Sequence, residues 1–368
     1  MRLGSLIPFG QVPALIVHFT GTRVSAASVR RLTEAAGAAQ VAVETAAVVH
    51  IEQVLPDPAV GPAIQQLSVD GAMVPLTGGT WAEVKTLAIG TVTQAAATDA
   101  ASARTVALSY FSRLTDHVTF GRLATVETHR RGTETAQTVV AIVDGAEWCQ
   151  GFIDLHRPDA VRILDFAHAL EHLGAVAQAV YGAGTLAASE WLGQQAHALR
   201  HGQESQVVAR LVALATVPHA AEVVTLISAT ARYLATRQAQ LRYQAFVEAG
   251  YPIGSGCVES ANKLVVEARL KGSGMHWARP YINPMLALRT VLCNGRWEED
   301  WPGLWQQWRE QARVRATQRR QARVPAAPDR LPPVAPSTAV EPPAAPSPPR
   351  VKTVVDGKPT ADHPWRHS

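Results

Sequence analysis

Cysteine is nearly absent from this 368-residue chain: Cys149, Cys257 and Cys293 are the only three, and no two form a Cys-x-x-Cys pair. That excludes a disulfide framework and a zinc ribbon, and it fits a reducing cytoplasm. Long apolar runs are missing too. Nowhere do about 18 uncharged apolar residues follow one another, so no membrane span is expected. The apolar opening, Met1 to Phe19, holds a single early Arg and is broken by Pro8 and Pro13, which makes a poor signal peptide. Lysine is scarce as well, only 5 of the 34 basic residues. What is present is a hydrophobic content of 47% and a net charge of +4. The first suffices for a large core; the second permits a polyanionic partner without demanding one. The charge is unevenly spread, with six Arg between Arg309 and Arg323 and Glu310 as the only acid among them.

Five segments are expected along the chain. Residues 1–60 read as a helical segment. Ser25 is a plausible N-cap, and the spacing of Val29, Leu32 and Ala36 predicts a helix that ends at Gly37. An Ala/Val-rich second helix then runs to about Val54. Two helices around a glycine are either a helix-turn-helix that reads DNA or a plain helical hairpin. Residues 61–182 change texture. Leu67–Val74, Val84–Val92, Val139–Val143 and Val161–Phe166 are short, β-branched and bounded by turn residues, so they read as strands, the last leading into a helix from about His168 to Val180; 102–115 is less decided. Residues 183–249 read as wholly helical. Over 250–322, a tight Gly-Tyr-Pro-Ile-Gly-Ser-Gly turn (250–256) opens a helix from about Cys257 to Leu270, and a Trp-rich amphipathic segment follows. Residues 323–368, dense in Pro and Ala, are expected to be a disordered tail.

Three acids stand out. Asp70 and Asp144 each lie in an apolar–Val–Asp–Gly sequence at the expected end of a strand, and Glu259 falls in the first turn of the helix after the Gly-rich turn. Hard divalent cations prefer carboxylate oxygens, and two ions about 3.5–4 Å apart can promote phosphoryl transfer. Each acid also has a plain reading: Asp-Gly is a common turn, and a first-turn Glu answers the helix dipole. Only their order (strand, strand, helical insertion, helix) sets them apart.

A resemblance adds to this. The segment Gly250-Tyr-Pro-Ile-Gly-Ser-Gly-Cys-Val-Glu259-Ser resembles the ISKra-type insertion-sequence transposases, which belong with the mutator-like DDE transposases. So do Arg269-Leu-Lys-Gly-Ser-Gly-Met-His-Trp277 and Leu286-Ala-Leu-Arg-Thr-Val-Leu-Cys-Asn-Gly-Arg-Trp297. Upstream, Val69-Asp-Gly, Trp81-Ala-Glu-Val-Lys85, Val143-Asp-Gly-Ala-Glu-Trp148 and Ile163-Leu-Asp-Phe-Ala-His168 follow in the family's order, and the likeness covers residues 64–305. It implies an α/β chain with a ribonuclease-H-like mixed sheet and an all-helical insertion before the last acid. Asp70, Asp144 and Glu259 would be the metal ligands, holding two magnesium ions, with manganese able to substitute. Asp165 and His168 match an Asp-x-x-His signature in a supporting role, and Asp165 competes with Asp144 as second acid. Arg269, Lys271, His276 and Trp277 suit contact with DNA phosphates and bases, or else are surface and core residues. The implied partners are transposon-end and target DNA and a second copy of the chain, since two ends must be brought together; the setting would be cytoplasmic, at the nucleoid. Only 69 residues precede Asp70, fewer than such enzymes often carry for end recognition. Either the helices at 25–54 do that work, or the chain is a truncated or separately encoded piece.

Two rival readings remain. His168-Ala-Leu-Glu171-His172 matches the inverted zinc-peptidase motif, with Glu248 as a third ligand. Alternatively, the Arg-rich run beside Trp301, Trp305 and Trp308 makes a DNA-binding protein that does not cut.

Overall fold

The β-branched residues from Ile64 onward build one five-stranded mixed sheet, and the Ala-rich segments on either side pack over it as helices. The computed structural model describes residues 1–93, 103–323 and the short pairs 354–355 and 358–359. The Pro-rich tail expected over 323–368 therefore lies almost wholly outside the described residues. By contacts, Met1–Thr317 forms one unit and Gln318–Ser368 a second.

Helices α1 (Arg2–Leu6), α2 (Val12–Thr20) and α3 (Ala26–Val54) come first. Strands β1 (Ile64–Pro75), β2 (Trp81–Thr93) and β3 (Arg104–Arg113) then form an antiparallel meander. After α4 (His117–Arg130), β4 (Thr138–Val143) pairs parallel to β1; after α5 (Glu147–His156), β5 (Val161–Leu164) pairs parallel to β4. The order across the sheet is β3-β2-β1-β4-β5. Next come α6 (Phe166–Tyr181), the expected helical run as α7 (Leu186–Arg200), α8 (Glu204–Leu214), α9 (Ala221–Ala235) and α10 (Tyr243–Glu248), and then α11 (Gly256–Ala261). The helix of α11 continues through a π-helical stretch, Asn262–Glu267, into α12 (Ala268–Leu270); α13 (Ile282–Cys293) and α14 (Trp297–Arg323) complete the fold. No helix among the described residues is long and apolar enough to cross a membrane.

Strand side chains alternate between faces. Leu67 and Val69 of β1 and Ala141 and Val143 of β4 pack with Phe120 and Phe152 of α4 and α5 on one face. On the other, Ala72 and Val74 meet Val258, Ala261 and Val265 of the α11 helix, while Val140 and Ile142 meet α6 and the insertion through Leu173, Leu211 and Ile227. The edge strand β3 is covered by α13: Asn283 bonds both backbone groups of Leu114, and Asn294 both of Tyr110. These amides satisfy groups that an open edge would leave exposed.

Two sequence expectations need correction, and one undecided stretch is settled. The pair of helices expected at 25–54 is a single helix, α3, with no turn at Gly37, so no helix-turn-helix exists there. Gly37 serves packing instead: a Cβ there would lie 2.1 Å from the Pro284 carbonyl oxygen of α13. The Asp-Gly at 70–71 does not end its strand, because β1 runs on through it to Pro75 in register with β2. The undecided stretch 102–115 contains β3.

In a solvent-facing helix, Gly→Ala would stabilise by about 1 kcal/mol. At Gly37 the sign should reverse: Gly37→Ala is expected to cost roughly 1–3 kcal/mol, as overpacking does. Chemical denaturation of the purified variant measures it, and a gain in stability would refute the close approach of α3 and α13.

Candidate metal centre

Asp70 is half-buried and shares the sheet face of Ala72 and Val74, the face on which the α11 helix lies. The parallel β1–β4 ladder pairs Ile64 with Thr138 and Leu67 with Ala141. Asp70 lies three residues beyond the last pair on β1, and Asp144 three residues beyond it on the other segment, one residue past the end of β4. Glu259 stands exposed on α11, one residue beyond the buried Val258 that anchors that turn to the sheet.

The electrostatics of Asp70 register the other two acids. The Asp70 carboxyl is raised above the usual aspartate range, first by burial and then by the charges of Asp144 and Glu259, against lowering contacts from the Gly71 amide and Asn262. Among the described residues, none of the three acids forms a salt bridge. Mutual repulsion without a resident counter-charge is a donor set suited to a hard cation. Among the described residues, no group of three or more His, Cys, Asp or Glu side chains stands close enough together to hold a metal ion as the side chains lie.

Each carboxylate is aimed by neighbours. Asp70 Oδ1 accepts from the Gly71 N–H at 2.7 Å, and its Oδ2 accepts from Asn262 Nδ2 at 2.8 Å. Asn262 opens the π-helical stretch, one turn past Glu259, and its own Oδ1 is buried without a partner. Asp144 Oδ1 accepts from the Ala146 N–H at 2.9 Å and from the Cys149 thiol; burial, then Asp144, pushes that thiol's pKa strongly up. The helical insertion fixes the Asp144 backbone from above. Tyr233 Oη donates to the Asp144 carbonyl at 2.5 Å, and Arg237 Nη2 to the Gly145 carbonyl at 2.8 Å. A Cβ at Gly145 would lie 2.7 Å from both side chains, so the glycine is needed for that clamp to close.

Asp165 does different work. It is 3% exposed and caps α6, Oδ1 accepting from the His168 N–H and Oδ2 from the Ser255 N–H. With both oxygens committed to backbone amides, Asp165 holds the Gly-rich turn in place. His168 contacts Glu171 through Nδ1 and His172 through Nε2, and His172 stacks on Tyr233. Glu248, the third ligand of a zinc-peptidase reading, instead accepts from Gln244 on its own helix; the geometry does not favour that reading.

Of the residues expected to meet DNA, Lys271 and His276 are exposed, Lys271 pairing with Glu267. Arg269 and Trp277, at 2% and 7% exposure, lie in the core. Arg269 donates to the Gly4 carbonyl, and Trp277 extends the β1 edge through backbone bonds to Pro75 and Thr77. As open-surface DNA contacts both are corrected, because neither reaches solvent along a free face.

Asn262, Tyr233 and Arg237 were missed in the sequence. Asn262 could have been noticed as the residue three beyond Glu259 on a helix facing a strand acid; nothing local marks Tyr233 or Arg237, which arrive by tertiary contact. Lys85 is also placed: it pairs with Glu83 and lies 5.2 Å from the Trp148 ring, so the Trp81-Ala-Glu-Val-Lys85 and Asp-Gly-Ala-Glu-Trp148 motifs meet. No protein-family model matches the chain, and no curated protein matches it.

A raised Asp70 loses its negative charge at a higher pH than an ordinary aspartate, whose pKa is about 3.9. Affinity for manganese should therefore fall as the pH drops, beginning above that value. Asn262→Ala removes a donor that holds the pKa down, so the midpoint of the fall should move to higher pH. Manganese titrations across pH test this, and an unchanged midpoint in the variant would count against the Asp70–Asn262 contact.

Proposed function

We propose that this chain is a DNA transposase, cutting the ends of a mobile element and joining the freed 3′-hydroxyl to target DNA. The observation that carries the reading is that Asp70, Asp144 and Glu259, far apart in sequence, come near enough in the fold for the charges of the latter two to raise the pKa of the first. Two acids from neighbouring strands and one from a helix, with a helical insertion between, also support the ribonuclease-H-like reading of the mixed sheet.

Asp70, Asp144 and Glu259 are the residues that would hold a pair of magnesium or manganese ions. When bound, such ions activate the attacking oxygen and stabilise the leaving one. The protein's share is positional. Asn262 and the Gly71 amide orient Asp70; Ala146, Tyr233 and Arg237 hold the Asp144 turn; the Asp165 cap sets the start of the Glu259 helix. Arg309, Arg313 and Arg315 on α14 are exposed and give DNA phosphates a basic face, with salt-sensitive affinity. The partners are transposon-end and target DNA and a second copy of the chain, and the setting is the nucleoid in the cytoplasm.

Glu259 is exposed and makes no side-chain hydrogen bond among the described residues, so Glu259→Gln should leave the fold intact. Metal-dependent DNA cleavage should then fall by on the order of 100-fold or more, since even residues behind the metal ligands cost about 10–100-fold when changed. Cleavage and strand transfer in magnesium or manganese, beside a denaturation curve, measure it. A fully active Glu259→Gln would remove Glu259 from the site; DNA binding without any cutting by the unaltered chain would favour a non-catalytic DNA-binding protein.

A further inference from the structure

The proposed reaction leaves two histidines of α6 unused. His168 and His172 stand four residues apart on one helix, so their rings leave the same face. Their Nε2 atoms are 3.3 Å apart, with the ring planes at 90°. Zinc binds imidazole nitrogen at about 2.0–2.1 Å in tetrahedral geometry, which sets two nitrogens on one ion roughly 3.3–3.4 Å apart. The pair already has that spacing.

The neighbours aim these nitrogens. His168 Nδ1 lies 3.2 Å from Glu171 Oε2. A carboxylate only accepts, so Nδ1 carries the proton and Nε2 presents a lone pair toward His172. A carboxylate behind the imidazole is the usual device for orienting histidines on metals, and it gives Glu171 an orienting role rather than that of a base. His172 is held from another side, its ring stacked on Tyr233 with centroids 4.3 Å apart. Both histidines are half-buried. His172 also lines a cavity of about 480 Å³ with Arg232, Tyr233 and Arg237, which leaves room for water on an ion.

We infer that His168 and His172 bind one zinc-class ion, separate from the hard-cation site of Asp70, Asp144 and Glu259. Imidazole nitrogen suits zinc, copper and nickel, whereas magnesium and manganese favour oxygen. Two protein ligands hold an ion more weakly than the closed four-ligand shell of a structural zinc site, and water completes the shell. The inference stands on the geometry of α6 and requires no DNA chemistry. The ion would fix the His172 ring against Tyr233, whose hydroxyl donates to the Asp144 carbonyl. It would thereby brace the insertion against the turn that carries Asp144.

The test is a zinc titration of the full chain against a competing chromogenic chelator, with magnesium in large excess to occupy oxygen sites. One zinc per chain should bind with affinity on the order of micromolar. His168→Gln and His172→Gln should each weaken it by about 10-fold or more, since even residues behind the ligands cost that much. Both substitutions spare the backbone bonds of α6, and melting curves without zinc check that the variants fold. Zinc should raise the melting temperature of the unaltered chain and not that of either variant. His197→Gln, in another close imidazole pair, should leave the affinity unchanged. No zinc binding by the unaltered chain, binding that survives both α6 substitutions, or loss in His197→Gln alone would overturn the site. Each of those results would leave the DNA reading standing, which metal-dependent cleavage tests separately.

Discussion

The Asp165 carboxylate is the constraint on which the rest of the architecture turns. One oxygen accepts from the His168 amide at the start of α6, the other from the Ser255 amide just before α11. Those two amides are separated by the whole helical insertion, so a single buried anion closes the excursion that the insertion makes from the sheet. Hydrogen bonds to a charged acceptor are roughly twice as strong as neutral ones. This one is reinforced by the Phe166 amide on the Ile253 carbonyl and by the Tyr243 hydroxyl on the Leu164 carbonyl. Gln66 of β1 also reaches the Gly254 carbonyl and Cys257. Where the turn is pinned, the helix it opens is pinned, and Glu259 is presented to the strand acids.

Around that lock the structure spends stability to concentrate negative charge. Asp70 is half-buried beside two other carboxylates, and its ionisation works against the fold: the cost is absent below the ordinary aspartate range and fully present above the raised value. In the proposed function, a carboxylate that disfavours its own ionised state is one a bound cation would relieve. The insertion is part of the same device. Tyr233 and Arg237 reach down from α9 to the Asp144–Gly145 carbonyls, so a change in the seating of the insertion would move the turn that carries one of the acids.

Much of this was legible in the sequence where chemistry is local. Short β-branched runs marked β1, β2, β4 and β5, and the Ala/Leu periodicity of 185–249 marked the insertion. The Gly-rich turn marked the start of the Glu259 helix. The misreadings came where tertiary packing overrides a local signal. Gly37 looked like a helix end because glycine usually is one, but here it admits the Pro284 backbone. Asp70-Gly71 looked like a strand end, but β2 pairs straight through it. Arg269 and Trp277 looked like surface ligands because Arg and Trp often are. They are buried by the N-terminal segment, whose Phe9 and Gly4 no local pattern connects to them. Asp165 competed with Asp144 in the sequence because nothing local shows that its two oxygens are taken by the His168 and Ser255 amides.

The central claim, that Asp70, Asp144 and Glu259 jointly hold divalent ions, is tested most directly by counting ions. Calorimetric titration of the full chain with manganese at neutral pH should give two ions per chain. Asp144→Asn should lose at least one of them, while Glu298→Gln, at an exposed carboxylate paired with Arg2, should keep both. Saturable binding that is identical in the unaltered chain and in Asp144→Asn, or no binding at all, would contradict the account.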